Sequence, residues 1–142
     1  MMWISRREWL LVGVSLTLLV FGGAYYCFSP AYKEYLIHHI GSSENIWESP
    51  DKSGNSALII KVEGYANDDY KLKLDFYHKD NPKADTFKKT YSEVIRFPAG
   101  DINGTLKRDF SGEPDDSKVN ITYIPEHESS SKGTIKLKVG IF

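Results

Sequence analysis

The amino-acid sequence predicts a mainly β protein, in which an N-terminal transmembrane helix precedes a small antiparallel β-sandwich of immunoglobulin-like topology. Two observations lead to this fold class. One is an uncharged run of twenty residues from Trp9 to Phe28, which is long enough for a helix that crosses a bilayer. The other is a change of period after residue 57, where apolar and polar residues alternate in twos, as in half-buried strands.

The run from Trp9 to Phe28 is interpreted as a signal-anchor helix, so residues 1–28 form a cytoplasmic tip and a membrane span. At about 1.5 Å per residue, a helix of this length reaches roughly 30 Å, the thickness of the hydrocarbon core. Arg6 and Arg7 precede the run. The positive-inside rule then predicts a cytoplasmic N-terminus and a C-terminal domain that is periplasmic or extracellular. The alternative is a signal peptide that is cleaved after Ala24.

Residues 29–56 are predicted to form a juxtamembrane amphipathic helix and a linker. Ser29 and Pro30 are typical of a helix start and Gly41 of a helix end, and apolar residues between them recur at spacings of three and four. The residues after Gly41 are rich in Ser, Asn and Gly, which is typical of a linker. The folded β-domain is therefore expected over residues 57–142.

Six segments of this domain have the residue pattern of strands. Residues 57–63 and 70–77 alternate apolar with polar side chains, and the sequence GYANDD between them predicts an antiparallel hairpin. Four further strands are expected at residues 86–97, 105–110, 118–124 and 134–141. Short strands separated by turn residues indicate a sandwich or a partly closed barrel, of which the sandwich is preferred. The immunoglobulin-like topology is an expectation about architecture alone, because the Cys-Trp-Cys pattern is missing.

The charge balance argues against nucleic-acid binding, and the cysteine content excludes an internal disulfide. The 142 residues carry 18 basic and 19 acidic side chains, so the chain lacks the basic excess that nucleic-acid binding requires. Cys27 is the only cysteine, so an internal disulfide cannot form.

Small residues in the span, among them Gly13 and Gly22, support a hypothesis of homodimerisation through the transmembrane helix.

Residues that usually carry catalysis do not form a known motif in this sequence. His38, His39, His78 and His127 lack the spacing of zinc ligands, and neither a G-x-S-x-G element nor a glycine-rich phosphate loop is present. A hydrolase would require His78 and His127 to converge with an aspartate. The sequence therefore predicts no enzyme, no cofactor and no catalytic or metal-ligating residues.

Carboxylates in the predicted turns support an alternative function. If successive strands alternate in direction, Asp68, Asp69, Asp101 and Glu126 share one end of the sandwich, and their oxygens are the ligands that calcium prefers. The competing interpretation is that aspartates in turns cap their own backbone. The alternatives are thus a small-ligand or calcium-binding exported module, or a secreted protein after signal-peptide cleavage.

Four lysines and a tryptophan are the candidate binding residues. The sequences YKLKLDF and TIKLKVG place Lys71, Lys73, Lys136 and Lys138 at alternate positions, so they form one basic stripe if both strands lie in one sheet. The alternative is that these lysines keep sheet edges from pairing with other chains. Trp47, in the predicted linker, either anchors a partner or pins the linker to the domain.

By elimination, the predicted function is non-catalytic. The chain is expected to be a single-pass inner-membrane protein whose exported domain binds or scaffolds a protein partner in the cell envelope. Its predicted partners are the lipid bilayer and an envelope protein, with no nucleic acid. The anchor would raise the local concentration of the domain at the membrane.

Overall fold

Eight β-strands make up the domain in the computed structural model, which describes residues 32–51, 54–81, 83 and 85–142. The strands are β1 (Lys33–Ile37), β2 (Glu44–Glu48), β3 (Asn55–Ala66), β4 (Tyr70–His78), β5 (Lys88–Phe97), β6 (Gly100–Gly112), β7 (Ser117–Pro125) and β8 (Gly133–Ile141). All of them belong to the unit Tyr32–Phe142, which has its own hydrophobic core. The predicted span Trp9–Phe28 lies outside the described residues. Within those residues, no helix has the length and apolar character needed to cross a membrane.

The strands form two antiparallel sheets of four strands each. The first sheet has the order β1-β8-β3-β6 and the second sheet the order β2-β7-β4-β5. This order is that of a jelly roll, because the chain changes sheet at every connection except the one between β4 and β5. The predicted mainly β sandwich is confirmed, whereas the immunoglobulin-like topology is wrong.

The connection between β3 and β4 also differs from its prediction. The expected hairpin is wrong, because β3 pairs with β6 and β8 while β4 pairs with β5 and β7. The GYANDD segment therefore leads from one sheet to the other. Turn residues favour a reversal of chain direction, but they do not determine which strand becomes the hydrogen-bonding partner.

The N-terminal part of the domain is β-structure where a helix and a linker were predicted. β1 lies inside the predicted helix, and β2 lies inside the predicted linker. β1 pairs with β8, which places Ile37 opposite Ile135, and both side chains are buried. Packing against a distant strand overrides the helical spacing of a short segment. The folded unit accordingly begins at Tyr32 and not at residue 57.

Alternate residues of both sheets fill the core between them. Its largest members are Tyr70 and Tyr123, and its aliphatic members include Ile37, Leu58, Ile60, Val62, Leu72, Leu74, Val119, Ile121, Ile135, Leu137 and Val139. The Tyr123 hydroxyl donates a hydrogen bond of 2.8 Å to the carbonyl oxygen of Ile40. The buried Tyr70 hydroxyl has no hydrogen-bond partner within the described part of the chain. Of these two core hydroxyl groups, that of Tyr123 is therefore satisfied and that of Tyr70 is not.

An ion pair joins the two sheets at each lateral side of the sandwich. On one side, Lys33 Nζ of β1 contacts Glu48 Oε2 of β2 at 2.8 Å. On the other side, Arg108 of β6 donates two hydrogen bonds of 2.6 Å to the carboxylate of Glu93 on β5. All four strands are edges of their sheets. The two pairs therefore connect the sheets where no further strand closes the sandwich.

Replacing Gly133 with alanine is expected to lower the free energy of unfolding by about 2–4 kcal/mol. Gly133 has a φ of 141°, a region that is essentially restricted to glycine. An added Cβ would also lie 2.0 Å from the carbonyl oxygen of Tyr65 on β3. Urea denaturation of both proteins measures the change.

Gly104→Ala is the matched control, because an added Cβ at Gly104 has no atom within 4 Å. Its free energy of unfolding should stay within about 1 kcal/mol of the native value, since alanine restricts the unfolded chain more than glycine does. Equal destabilisation by both substitutions would contradict the assigned close approach of β3 and β8.

Tyr70→Phe is expected to leave the free energy of unfolding unchanged or to raise it by up to about 1 kcal/mol, because it removes a buried hydroxyl that has no partner. Tyr123→Phe removes the donor to the Ile40 carbonyl and should lower the free energy of unfolding by about 1–2 kcal/mol. Thermal and urea unfolding of the two variants test the difference. A similar loss in both would show that the Tyr70 hydroxyl has a partner.

Candidate binding cleft

The side of the sandwich between β5 and β6 opens into a cavity that we call the lateral cleft. Its volume is about 530 Å³, which lies within the usual range of ligand pockets. The lining comes from the end of β4, the start of β5, the end of β6 and the start of β7, and includes Phe76, Tyr77, His78, Tyr91, Phe110 and Ser117. Four strands from both sheets thus contribute to one concave surface.

Three aromatic rings form the floor of the lateral cleft. The ring of Phe76 lies 5.7 Å from that of Tyr91 and 5.8 Å from that of Phe110, measured between centroids. Phe76 and Phe110 are buried, whereas Tyr91 is 56% exposed. Stacked and tilted aromatic groups bury large apolar area at a low entropic cost. The floor therefore offers an apolar surface that is already ordered before a ligand arrives.

A bulge shapes the wall of the cleft. The pairing of β4 with β5 shifts between Phe76 and Tyr77, opposite Thr90. The Thr90 hydroxyl donates a hydrogen bond of 3.2 Å to the carbonyl oxygen of Phe76. Bulges bend a strand and change the direction of its side chains. The irregularity falls at the cleft, where β4 supplies three lining residues.

His78 and Ser117 form a polar part of the wall. His78 Nδ1 and Ser117 Oγ are hydrogen-bonded at 2.9 Å. Ser117 is only 3% exposed, and within the described residues no carboxylate orients the imidazole of His78, as a nucleophilic serine would require. His127 lies at the opposite end of the sandwich, where it contacts Asp68. His78 and His127 therefore do not converge with an aspartate.

The ion pair between Arg108 and Glu93 lies beside this cleft. The hydrogen bonds from Arg108 lower the pKa of Glu93, and the same bonds raise the pKa of the guanidinium. Both side chains are partly buried between β5 and β6. The pair fixes the distance between the two strands that border the opening.

Both bordering strands are long edges of their sheets. Among the described strands, β5 pairs only with β4 and β6 only with β3. They have 10 and 13 residues, whereas the edge strands β1 and β2 have 5 each. A long edge presents backbone N–H and C=O groups with which an extended segment can pair. The cleft is thus flanked by two such edges.

The four lysines of the predicted stripe lie in different sheets. Lys71 and Lys73 are on β4 of the second sheet, and Lys136 and Lys138 are on β8 of the first. The single stripe is therefore wrong, because the two pairs face outward on opposite sides of the sandwich. Lys71 contacts Glu126 at 2.7 Å and Lys73 contacts Asp75 at 3.1 Å, while Lys136 and Lys138 lie within 4 Å of Glu34. Whether any of these lysines contacts a partner stays a prediction.

The outer faces of the two sheets nevertheless differ in charge. On the strands of the second sheet, the outward positions carry five basic residues and one acidic residue: Lys71, Lys73, Lys89, Arg96 and Lys118 against Asp75. On the first sheet they carry four of each: Lys61, Lys107, Lys136 and Lys138 against Glu34, Glu63, Asp101 and Asp109. The outer face of the second sheet is therefore basic, and that of the first is neutral overall.

Trp47 lies on β2 at the outer face of the second sheet, not in a linker. Its side chain is 51% exposed, and its ring lies 5.3 Å from that of Tyr77. Lys118 Nζ lies 4.7 Å from the Trp47 ring centroid and 3.9 Å from that of Phe87. Trp47 therefore belongs to a partly exposed group of three aromatic side chains around one lysine.

Of the four carboxylates considered for calcium, Asp68, Asp69 and Glu126 already have other contacts. Asp68 is hydrogen-bonded to His127 at 2.5 Å, which lowers the pKa of Asp68. Asp69 accepts a hydrogen bond of 2.8 Å from the backbone N–H of Ala99. Within the part of the chain that the structure describes, no group of three or more His, Cys, Asp or Glu residues is arranged to hold a metal ion. The geometry therefore does not support the calcium alternative.

The sequence did not indicate the lateral cleft. Phe76 and Phe110 have the apolar pattern of ordinary core residues, and Tyr91 lies in a segment of mostly polar residues. The only local signal is Tyr91, an aromatic residue in a mostly polar strand. A single residue of this kind is a weak indication of a binding site.

No protein-family model matches the sequence, and no curated protein matches it either. Among solved structures, the chain is similar to a CBM4, with 14% identity and a TM-score of 0.37 over 70% of this chain and 61% of that one. It is also similar to a Family 16 Carbohydrate Binding Module-2, with 10% identity and a TM-score of 0.40 over 78% of this chain and 74% of that one. The chain is also similar to PirA, with 10% identity and a TM-score of 0.40 over 78% of this chain and 94% of that one. The chain spans less than two thirds of the CBM4 chain, and at these TM-scores none of the matches identifies a ligand.

Glu93→Gln is expected to make stability depend less on pH. Arg108 holds the folded-state pKa of Glu93 below its unfolded value, so the stabilisation is fully present above the unfolded pKa of about 4.3 and is lost as pH falls through the folded pKa. The native protein should therefore exceed the variant in stability at neutral pH, and this advantage should shrink in acid. Urea denaturation over a pH series measures it. An advantage that stays constant with pH would contradict the assigned pKa direction.

Proposed function

We propose that this chain is a single-pass membrane protein whose exported domain is a non-catalytic protein-binding module, with the lateral cleft as its binding site. The observation that carries the proposal is the cavity of about 530 Å³ with an aromatic floor. Large, partly apolar cavities with a few polar groups are the usual position of binding sites. The fold supports a binding role, because a rigid sandwich holds this surface in place.

The occupant that best suits the cleft is an extended segment of a partner protein. Backbone groups of such a segment pair with a free strand edge, while one of its apolar side chains enters the adjacent cleft. We assign the pairing to β5, because its side chains Tyr91 and Val94 are exposed at 56% and 52%. The inserted side chain would contact Tyr91, Phe76 and Phe110. The partner segment is thus expected to be an uncharged strand with at least one large apolar residue.

The location at a membrane rests on the sequence alone. The uncharged run Trp9–Phe28 and the preceding Arg6 and Arg7 support an anchor with the domain on the periplasmic or extracellular side. Cleavage after Ala24 and homodimerisation through the span stay predictions. With an intact anchor, the domain would meet its partner at a raised local concentration.

A photo-crosslinking amino acid at position 91 tests the site in the full-length protein. We expect it to join the domain to a partner protein, because Tyr91 is the exposed member of the cleft floor. The same amino acid at Tyr65, which is 49% exposed on the first sheet, is the matched control and should capture little. Equal capture at both positions would contradict the assignment of the cleft.

Once a partner segment is identified, Tyr91→Ala should weaken its binding by about thirtyfold, the typical effect of removing a central aromatic contact. Tyr65→Ala should change the dissociation constant by less than about twofold. Isothermal titration calorimetry with a synthetic segment measures both. An unchanged affinity in Tyr91→Ala would exclude the cleft as the binding site.

A further inference from the structure

We infer that one end of the sandwich docks on a membrane surface rich in anionic lipid headgroups. This basal end is the one where β1 begins and β8 ends, so Tyr32 and the C-terminal Phe142 meet there with ring centroids 5.2 Å apart. β6 also ends there, because the start of β3 pairs with the ends of both β6 and β8. The start of β7, which follows β6, pairs with the end of β4 beside the start of β5. Lipid contact by the domain itself is a function distinct from protein binding in the lateral cleft, although the two surfaces share Tyr77.

The aromatic group around Lys118 carries the inference. Lys118 Nζ lies 3.9 Å from the Phe87 ring centroid, 4.7 Å from that of Trp47 and 6.0 Å from that of Tyr77. Lys79 Nζ lies 5.0 Å from the Phe87 centroid. Within the described residues, no carboxylate lies within ion-pair distance of Lys118 or Lys79. Two cations and three amphipathic or apolar rings are thus presented together next to the basal end.

This combination matches the headgroup region of a bilayer. Trp and Tyr favour that level because one side of each ring is apolar and the other is polar, and lysines beside it attract anionic headgroups. Trp47 is 51% exposed, although burying it on the domain would remove more apolar surface from water. The ring contacts hold Lys118 in place by cation–π attraction. A lipid surface would therefore meet an ordered group, not a set of mobile side chains.

The charge of the second sheet supports an anionic surface. Its outer face carries five basic residues against Asp75, whereas the outer face of the first sheet is balanced. Net positive charge on one face orients a protein toward an anionic bilayer. The aromatic group lies on this basic face, where Lys89 and Lys118 are the basic residues nearest the basal end and Lys71 and Arg96 lie toward the other end.

The length of the preceding chain favours a membrane as the occupant. If the predicted span ends at Phe28, only Ser29, Pro30 and Ala31 separate it from Tyr32. The four residue steps from Phe28 to Tyr32 reach at most about 14 Å. Tyr32 belongs to the basal end, so connectivity alone would keep this end within reach of the headgroups.

The unit Tyr32–Phe142 tests the inference, because it contains all eight strands and the whole described core, and so is expected to fold without the preceding residues. It retains Trp47 as its only tryptophan. Vesicles of phosphatidylcholine alone are compared with vesicles that also contain phosphatidylglycerol. We expect sedimentation only with the anionic vesicles, weakening as salt is added, and a blue shift of Trp47 emission on binding.

Lys118→Gln should lower the partition coefficient about fivefold, the value of one lysine near an anionic surface. Trp47→Ala should lower it by a similar factor or more. Lys136→Gln, on the neutral outer face of the first sheet, is the matched control and should change it by less than about twofold. Circular dichroism confirms that each variant is folded.

Three results would overturn the inference: equal binding to both kinds of vesicle, an unshifted Trp47 emission, or an equal loss in Lys136→Gln. Retention on an acidic polysaccharide without vesicle binding would overturn it as well, because the partner would then be a soluble polyanion. Tyr91→Ala should leave vesicle binding unchanged. A failure of the proposed protein binding in the cleft is therefore distinguishable from a failure of lipid docking.

Discussion

Every connection of this domain except that between β4 and β5 passes from one sheet to the other, and the rest of the structure depends on this constraint. Neither sheet can form by local pairing, because hydrogen-bonded neighbours such as β1 and β8, or β2 and β7, come from distant parts of the chain. The apolar faces of both sheets must therefore assemble together. Folds dominated by such non-local pairing form slowly, and their stability comes from the shared core.

The same constraint leaves two open sides, and the chain treats them differently. Between the short strands β1 and β2, Lys33 and Glu48 form the connecting ion pair. Between the long strands β5 and β6, the pair Arg108 and Glu93 leaves room for a cavity beside it. Both sides therefore carry an ion pair, and the cavity makes the cleft side the less completely packed one, which is consistent with a surface kept for a ligand.

The outer faces of the two sheets differ in net charge, and this difference is not evident from the order of residues along the sequence. The motifs YKLKLDF and TIKLKVG look alike, yet Lys136 and Lys138 lie near Glu34, while Lys71 and Lys73 belong to the basic outer face of the second sheet. Trp47 and Lys118 come together on that face from β2 and β7, which are adjacent strands. The lateral cleft and the aromatic group around Lys118 are adjacent and share Tyr77, so the two proposals concern neighbouring parts of the domain.

The sequence by itself determined which residues of the C-terminal part are strands and which side chains point inward. The segments predicted at 57–63, 70–77, 86–97, 105–110, 118–124 and 134–141 each overlap an observed strand, because alternation with a period of two is a local property. The prediction at 105–110 covers less than half of β6. Only the tertiary structure decided the jelly-roll order, since the hydrogen-bonding partner of a strand depends on residues far away in the sequence. It also decided β1 and β2, where pairing with β8 and β7 outweighs helix-like spacing and turn-like composition. The lateral cleft and the group around Lys118 could not be predicted for the same reason, because their members come from strands that meet only when both sheets have formed.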